Sequence, residues 1–354
     1  MQAFAEQFPE VVFIDLAPAD EHGLDLARRI KERCDDRFVP VIFIADPGGG
    51  QDISRCVDAG GDDLMTRPLD PSALSAKLRA MERIRELHRR SRALHARSQD
   101  ELGLARRVLE GAVLGANVLP PGVSVHLAPA ATFNGDILLS ARPPNGDLYL
   151  MLGDFTGHGL QATIGALPAA ETFRAMTAKG FTPAAILAEI SRKLRAMLPT
   201  GMFLAAAFLR VDRASGNISV INCGMPDVLV AGERTVVAAL ESRALPLAVT
   251  ADEDFAAAEV CLAPPADGRV LLVSDGALEV TNARGEMFGN DRLRRLLCAL
   301  TGPSSAIPKI TGAIEAFRGD VPAADDIGLV EVMLSKELFD LPAAPCRASA
   351  ASRG

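Results

Sequence analysis

The sequence predicts an α/β module on a parallel sheet, a long helix, and a larger α+β module of antiparallel sheets flanked by helices. Three observations predict this. Short apolar runs alternate with helical patterns over residues 1–75. Neither Gly nor Pro interrupts the chain between Ser72 and Leu102. Further on, apolar runs come in pairs separated by Gly, Asn and Asp turns. A chain of 354 residues that is 49% hydrophobic has the length for two cores and the apolar content to fill them.

In the first module, residues 11–16 (Val-Val-Phe-Ile-Asp-Leu) read as a buried strand carrying Asp15 near its end. Residues 23–33 read as a helix with Leu24, Ala27 and Ile30 on one face. Residues 39–45 form a second strand, 53–59 a helix stopped by Gly60-Gly61, and 63–66 a third strand before Arg67-Pro68. Strand–helix–strand alternation implies a parallel sheet, whose carboxyl edge is where such sheets place their chemistry. Gly48-Gly49-Gly50 lacks the Lys-Ser/Thr of a phosphate loop and reads as a plain loop.

Residues 76–114 read as a linker helix. Met81, Ile84, Leu87 and Leu94 make a thin apolar seam among arginines at 79, 83, 85, 89, 90, 92 and 97. A two-stranded coiled coil, and hence a homodimer, is expected, with Ser91 and Ser98 as weak points; a solvated connector is the plainer alternative.

Residues 115–335 hold the second module. Runs at 137–140 and 148–152 flank Pro143-Pro144-Asn145-Gly146-Asp147, a hairpin signal. Helices are expected at 160–179, 183–198, 291–300 and 307–317, and strands at 203–211, 218–222, 270–274 and 327–333. Residues 336–354 are expected to be a disordered tail.

Bulk numbers exclude other classes. A net charge of −8 argues against nucleic-acid binding, and with no Trp a stacking platform would have to come from Phe or the lone Tyr149, which are not clustered for it. The six Cys lack Cys-x-x-Cys spacing and read as scattered buried thiols of a cytoplasmic protein. No signal-like segment opens the chain and no apolar run is long enough for a bilayer.

Four acidic motifs carry the chemistry: Gly135-Asp136, the run Gly153-Asp154-Phe155-Thr156-Gly157-His158-Gly159, Ser274-Asp275-Gly276, and Asp325-Asp326. Carboxylates delivered from several strand ends suit hard divalent cations, and two such cations can activate a water against a phosphate ester. Gly-Asp also occurs at 146–147 and 319–320, where turns are the better reading. With five His and no Gly-x-Ser-x-Gly elbow, a Ser-His-Asp hydrolase is disfavoured.

These motifs, together with the Glu101–Leu109 run and Asn282, Gly285, Phe288 and Gly289, make residues 101–335 similar to the SpoIIE/RsbU-type branch of the PPM (protein phosphatase 2C-like) serine/threonine phosphatases. That resemblance implies a β-sandwich flanked by helices and two Mn²⁺ or Mg²⁺ ions. It implies that Asp154 bridges the ions, that Asp136 and the Phe155 carbonyl support the first, and that Asp275 and Asp325 hold the second. Asp326 is the weaker ligand candidate, because adjacent residues on a strand point to opposite faces. His158 reads as a turn-orienting residue ahead of a catalytic acid. Met225 stands where the family has His, Asn134 and Ala248 where it often has Gly.

Asp15, Gly23, Ala59–Asp63 and Arg67-Pro68 make residues 1–75 resemble the last three strands of a flavodoxin-like response-regulator receiver. The resemblance implies Asp15 as phosphoacceptor and a histidine kinase or phosphotransfer protein as donor. A strand-end acid is the alternative, since Ala45 stands for Ser/Thr and Arg67 for Lys, and the family's acidic first strand has no counterpart here. The missing strands imply either a covering partner or a start codon placed too far downstream. The implied substrate is a phosphorylated anti-anti-sigma-factor-like protein. The competing expectation is a non-catalytic adaptor that keeps the phosphatase shape.

Overall fold

The computed structural model describes residues 9–17, 21–34, 37–47, 53–130, 133–157, 164–250, 258–265, 267–300, 302, 304–335 and 338. The chain divides into two compact units, residues 1–101 and 102–354. The Gly48–Gly50 loop, His158, Gly159, Cys346 and nearly all of the tail expected to be disordered lie outside the described residues.

In the first unit, β1 (Val12–Leu16), β2 (Val41–Ala45) and β3 (Asp63–Thr66) form a parallel sheet in the order β1-β2-β3. Helices α1 (Glu21–Arg33) and α2 (Ile53–Asp58) connect them. Helix α1 buries Leu24, Ala27 and Ile30, the face its spacing predicts, in a core with Ile14, Leu16 and Phe43. Gly61 permits this packing, because a Cβ there would sit 2.4 Å from the Phe43 ring. Asp15 is exposed at the carboxyl end of β1, and Arg67 Nη2 donates to its Oδ2 at 2.5 Å.

Helix α3 (Pro71–Val113) runs 43 residues without a break. Asp70 starts it by accepting from the Ser72 N–H at 2.9 Å, with Pro71 at the first helical position. Glu86–Arg90, Arg97–Glu101 and Arg106–Glu110 pair one turn apart along it. Ile84, Leu87 and Leu94 of the seam are exposed, and Val113 near the C-terminal end is buried. Among the described residues, no helix is long and apolar enough to cross a membrane.

The second unit stacks two five-stranded sheets. One has the order β10-β9-β12-β13-β4, the other β11-β8-β7-β6-β5. In chain order the strands are β4 (Val123–Ala128), β5 (Asp136–Ala141), β6 (Leu148–Phe155), β7 (Leu204–Val211), β8 (Ile218–Cys223), β9 (Val228–Gly232), β10 (Thr235–Leu240), β11 (Glu259–Leu262), β12 (Arg269–Val273) and β13 (Ile327–Met333). Every ladder between them is antiparallel. Leu150 and Leu152 face the layer between the sheets, with Leu209, Val230, Leu272 and Val330. Tyr149 and Met151, on the other face of β6, pack under α4 (Ala166–Ala178) and α5 (Pro183–Met197) with Phe173, Ile186 and Phe208. Burial on both faces is why β6 and β7 read as unbroken apolar runs. Each such side chain contributes roughly 1.5–3 kcal/mol of transfer free energy.

Short helix α6 (Asp275–Glu279) follows β12, and α7 (Gly289–Ala299) and α8 (Ile307–Arg318) cover the first sheet through Leu293, Leu297, Ile310 and Ile314. Buried Arg269 pairs with fully buried Glu331 at 2.7 Å and also donates to the carbonyls of Gly302 and Ser304. Glu331 in turn accepts from the Ser305 hydroxyl and the Ala306 N–H, fastening the start of α8 to the sheet.

Four strands, β4, β9, β10 and β11, are absent from the sequence expectations. They are short, and β10 and β11 alternate between exposed and half-buried positions, so no long apolar run marks them. The helix expected from residue 160 is described as α4 only from Ala166. The thiols are not uniformly buried: Cys34, Cys56 and Cys223 are, whereas Cys261 on edge strand β11 is exposed and Cys298 is half-buried. The 146–147 turn has Gly146 at φ 85°, but its Asp147 is buried and accepts from Arg210 Nε at 2.8 Å and the Arg213 N–H at 3.0 Å.

Candidate metal centre

The acidic motifs meet at one end of the sandwich. Asp136 opens β5 and Asp154 is the last residue but one of the adjacent β6, where the two are register partners. From the other sheet, Asp275 follows β12 as the first residue of α6, and Asp325 precedes β13, the partner of β12. Asp275 and Asp325 are exposed, Asp154 is half-buried and Asp136 is buried.

Electrostatics register the crowding. Burial pushes the Asp154 carboxyl up to about 8; repulsion from Asp275 and Asp325 and a hydrogen bond with Asp275 act in the same direction. Burial likewise holds the Asp136 carboxyl well above the usual range, reinforced by Asp154, while the Ser274 hydroxyl opposes the shift.

Asp136 is held in place. Its Oδ2 accepts from Ser274 Oγ at 2.8 Å, and that hydroxyl accepts from the Gly328 N–H at 2.8 Å. Gly328 makes room, since a Cβ there would lie 2.6 Å from Asp136 Oδ2. Asp136 Oδ1 is buried without a hydrogen-bond partner. Asp326 is buried and turns away from the role of its neighbour. Its oxygens accept from the Ala130 N–H at 2.7 Å and the Gly135 N–H at 2.5 Å, gripping the loop that delivers Asp136. Thr156 exchanges hydrogen bonds with the Phe203 backbone, which pins the turn after Asp154.

The residues fit a divalent-cation site on two counts. The donor set is all oxygen, which is the preference of Mg²⁺ and Mn²⁺. The orphaned Asp136 Oδ1 is a buried lone-pair donor in the midst of other carboxylates. Among the described residues no three His, Cys, Asp or Glu side chains stand grouped so as to hold a metal ion. Asp154 and Asp275 share a hydrogen bond, which relieves like-charge crowding between them, and so would a cation.

Sequence reasoning missed Ser274 and Asp326 as positioning residues. Both belong to quoted motifs, but their partners are remote in the chain. Ala248, where the family often has Gly, adopts φ 73°, a conformation glycine takes without strain. Met225 is buried in the layer between the sheets.

Two measurements probe this geometry. Ser274→Ala removes the hydroxyl that orients Asp136. It is expected to weaken Mn²⁺ affinity by roughly 10–100-fold, as loss of a ligand's supporting hydrogen bond does, in a calorimetric titration. Unchanged affinity would show that Asp136 needs no such support. The second concerns pH. Between the unfolded Asp pKa near 3.9 and the folded value of about 8 for Asp154, the folded chain binds a proton the unfolded chain does not. Stability of metal-free protein should therefore fall as pH rises through that window. Added Mn²⁺ should raise the melting temperature more at pH 8 than at pH 5. The reverse order would contradict the site.

Comparison with known proteins agrees with this architecture. The family model for stage II sporulation protein E (SpoIIE) matches residues 144–334, more than half of the chain. Asp154, Asp275 and Asp325 fall inside that span, and Asp136 just before it. The SiaA-PP2C domain of Pseudomonas aeruginosa shares the fold, with a TM-score of 0.60 at 19% identity over 68% of this chain and 98% of that one. The structure containing the PP2C phosphatase domain of SpoIIE from Bacillus subtilis gives a TM-score of 0.52 at 15% identity over 60% of this chain and 61% of that one. The N-terminal region matches receiver domains of response regulators. The transcriptional regulatory protein KdpE of Staphylococcus aureus is 35% identical over 80 residues, 23% of this chain and 33% of KdpE. The chain thus spans about a third of the length of that curated relative. On the family match and the shared sandwich fold, the chain belongs to the SpoIIE family of PPM-type serine/threonine phosphatases and carries a receiver-like region N-terminal to its phosphatase domain.

Proposed function

We propose that this chain uses two Mg²⁺ or Mn²⁺ ions to hydrolyse phosphoserine or phosphothreonine on an anti-anti-sigma-factor-like protein, under control of its receiver-like unit and long helix. The observation that carries the reading is the convergence of Asp136, Asp154, Asp275 and Asp325 from two sheets onto one end of the sandwich. Asp136, Asp154 and the Phe155 carbonyl would hold one ion, and Asp154, Asp275 and Asp325 the other. Bound there, the ions supply Lewis acidity and lower the pKa of water. The chain's own part is to fix the ligands: Ser274 orients Asp136, Asp326 holds its loop, and Thr156 anchors the turn after Asp154.

The test is Mn²⁺-dependent release of nitrophenol from p-nitrophenyl phosphate by wild type and by Asp154→Asn. A wild type that binds partners but releases nothing would favour the adaptor reading.

A route for control is available within the second unit. Arg174 of α4 donates to the carbonyls of Ala112 and Val113 at the end of α3. A cavity of about 110 Å³ is lined by Leu109 and Val113 of α3 together with Phe133, Asn134 and Asp136. A shift of the helix end would therefore reach the Asp136 loop. The exposed Ile84, Leu87 and Leu94 suit pairing of two copies through α3.

Phosphorylation of Asp15, by a histidine kinase or phosphotransfer protein, is the candidate input. Arg67 already engages that carboxylate, and buried Ala45 offers no hydroxyl. Little incorporation from acetyl phosphate and Mg²⁺ is expected, and none in Asp15→Ala. Stoichiometric labelling at Asp15 would show that Arg67 yields and that the unit is a working receiver.

A further inference from the structure

A cavity of about 130 Å³ lies beside Asp325, lined in part by Gly276, Glu279, Thr281, Arg318, Pro322 and Asp325. Gly276 directly follows Asp275, so the cavity adjoins the candidate metal centre on its α6 side. Arg318, the last residue of α8, is the cation in its wall.

Four other arginines of this unit have settled partners. Arg269 holds Glu331, Arg210 holds Asp147, Arg294 holds Asp227, and Arg174 holds the end of α3. Arg318 differs. Its Nε is buried with no hydrogen-bond partner, and among the described residues its guanidinium makes no ion pair, although Glu279 and Asp325 line the same cavity. An unmade bond on a buried charged donor is costly, so an arginine held this way calls for an acceptor. The Nε–H and its neighbouring Nη–H form a planar fork that matches two oxygens of a phosphoryl or carboxylate group. The acids around it would repel a bare anion. That repulsion is offset once divalent charge sits at Asp275 and Asp325, so the proposal rests on the phosphatase reading.

We infer that Arg318 is the anion-recognising residue of a substrate subsite beside the metal centre. Its fork takes an oxyanion of the phosphorylated substrate: either the phosphoryl group itself or a carboxylate flanking the phosphorylated residue. No arginine in the sequence is marked for this role by its motif; its place in the cavity wall and a guanidinium with no bonded Nη among the described residues single it out.

The experiment measures binding without turnover, on the full chain with Mn²⁺. Two fluorescent peptides carry a non-hydrolysable phosphoserine analogue, one with alanine flanks and one with glutamate flanks, and anisotropy gives Kd. Arg318→Gln is expected to weaken at least one peptide tenfold or more with its melting temperature unchanged. Arg318→Lys, which keeps charge but lacks the fork, should also lose affinity, and it carries the test if Arg318→Gln does not fold. Loss for both peptides places the phosphoryl group on Arg318. Loss confined to the glutamate peptide places a flanking carboxylate there. Kd values within twofold of wild type for both peptides overturn the subsite. Nitrophenol release by wild type, measured alongside, separates the two readings. Release together with unchanged Kd values sinks the subsite alone. No release together with Arg318-dependent binding sinks the phosphatase reading alone. A wild type that neither releases nitrophenol nor binds either peptide sinks both.

Discussion

Replacing Asp154 with asparagine is expected to cut Mn²⁺-dependent hydrolysis of p-nitrophenyl phosphate by roughly 10²–10⁴-fold. Losing several kcal/mol of Lewis acidity with the ions, at 1.36 kcal/mol per tenfold in rate, gives a loss of about that size. Asp154 is the position where loss should matter most. It is the register partner of Asp136, it bonds Asp275, and it feels Asp325. An amide cannot neutralise a cation, so both proposed ions weaken together. Folding should survive. Removing a carboxyl that sits among other carboxyls relieves repulsion, so the melting temperature of metal-free Asp154→Asn should equal or exceed that of wild type at pH 8. A variant that retains more than a tenth of wild-type turnover would remove Asp154 from the centre of the mechanism.

The largest stability effect is expected at Glu331. Its carboxylate and the Arg269 guanidinium are both buried, and every contact of the pair is spoken for by Ser305, Ala306 and the carbonyls at 302 and 304. Glu331→Ala leaves the guanidinium buried and uncompensated, at a cost of about 3–5 kcal/mol. The double replacement Arg269→Met, Glu331→Leu removes both charges and should recover much of that loss, because paired buried charges add little net stability over apolar groups of similar volume. The chain has no Trp and a single Tyr, and Tyr149 lies in the core under α4 and α5. Its fluorescence in urea therefore follows unfolding of the second unit alone. A loss below about 1 kcal/mol, the scale of an exposed pair, would mean that solvent reaches Arg269 readily.

Both effects bear on the same sandwich, and they differ in how far sequence anticipates them. Asp154 is visible because Gly-Asp-Phe-Thr-Gly is a compact local motif at the end of an apolar run. Glu331 sits mid-strand in Val330-Glu331-Val332, where alternation makes it look like an outward-facing residue. It is buried because α8 and the residues just before it cover that face, a fact set by Gly302, Ser304, Ser305 and Ala306. The same contrast separates Asp325 from Asp326. Strand alternation says the two point apart, but only the contacts to Ala130 and Gly135 reveal which one faces the protein interior.

Periodicity, turn residues and the acidic motifs determined, from the chain alone, the parallel three-stranded sheet, a long helix expected over 76–114 and found over Pro71–Val113, most elements of the sandwich, and the carboxylates worth watching. These are readable because each depends on residues a few positions apart. The tertiary structure decided the rest: that Ser274 orients Asp136 from 138 residues away, that Asp326 secures a loop 191 residues upstream, and that Arg318 faces a cavity without a partner. The reason is physical. A hydrogen bond or an unmet donor belongs to a pair of surfaces brought together by packing, and no local pattern in either segment records the other.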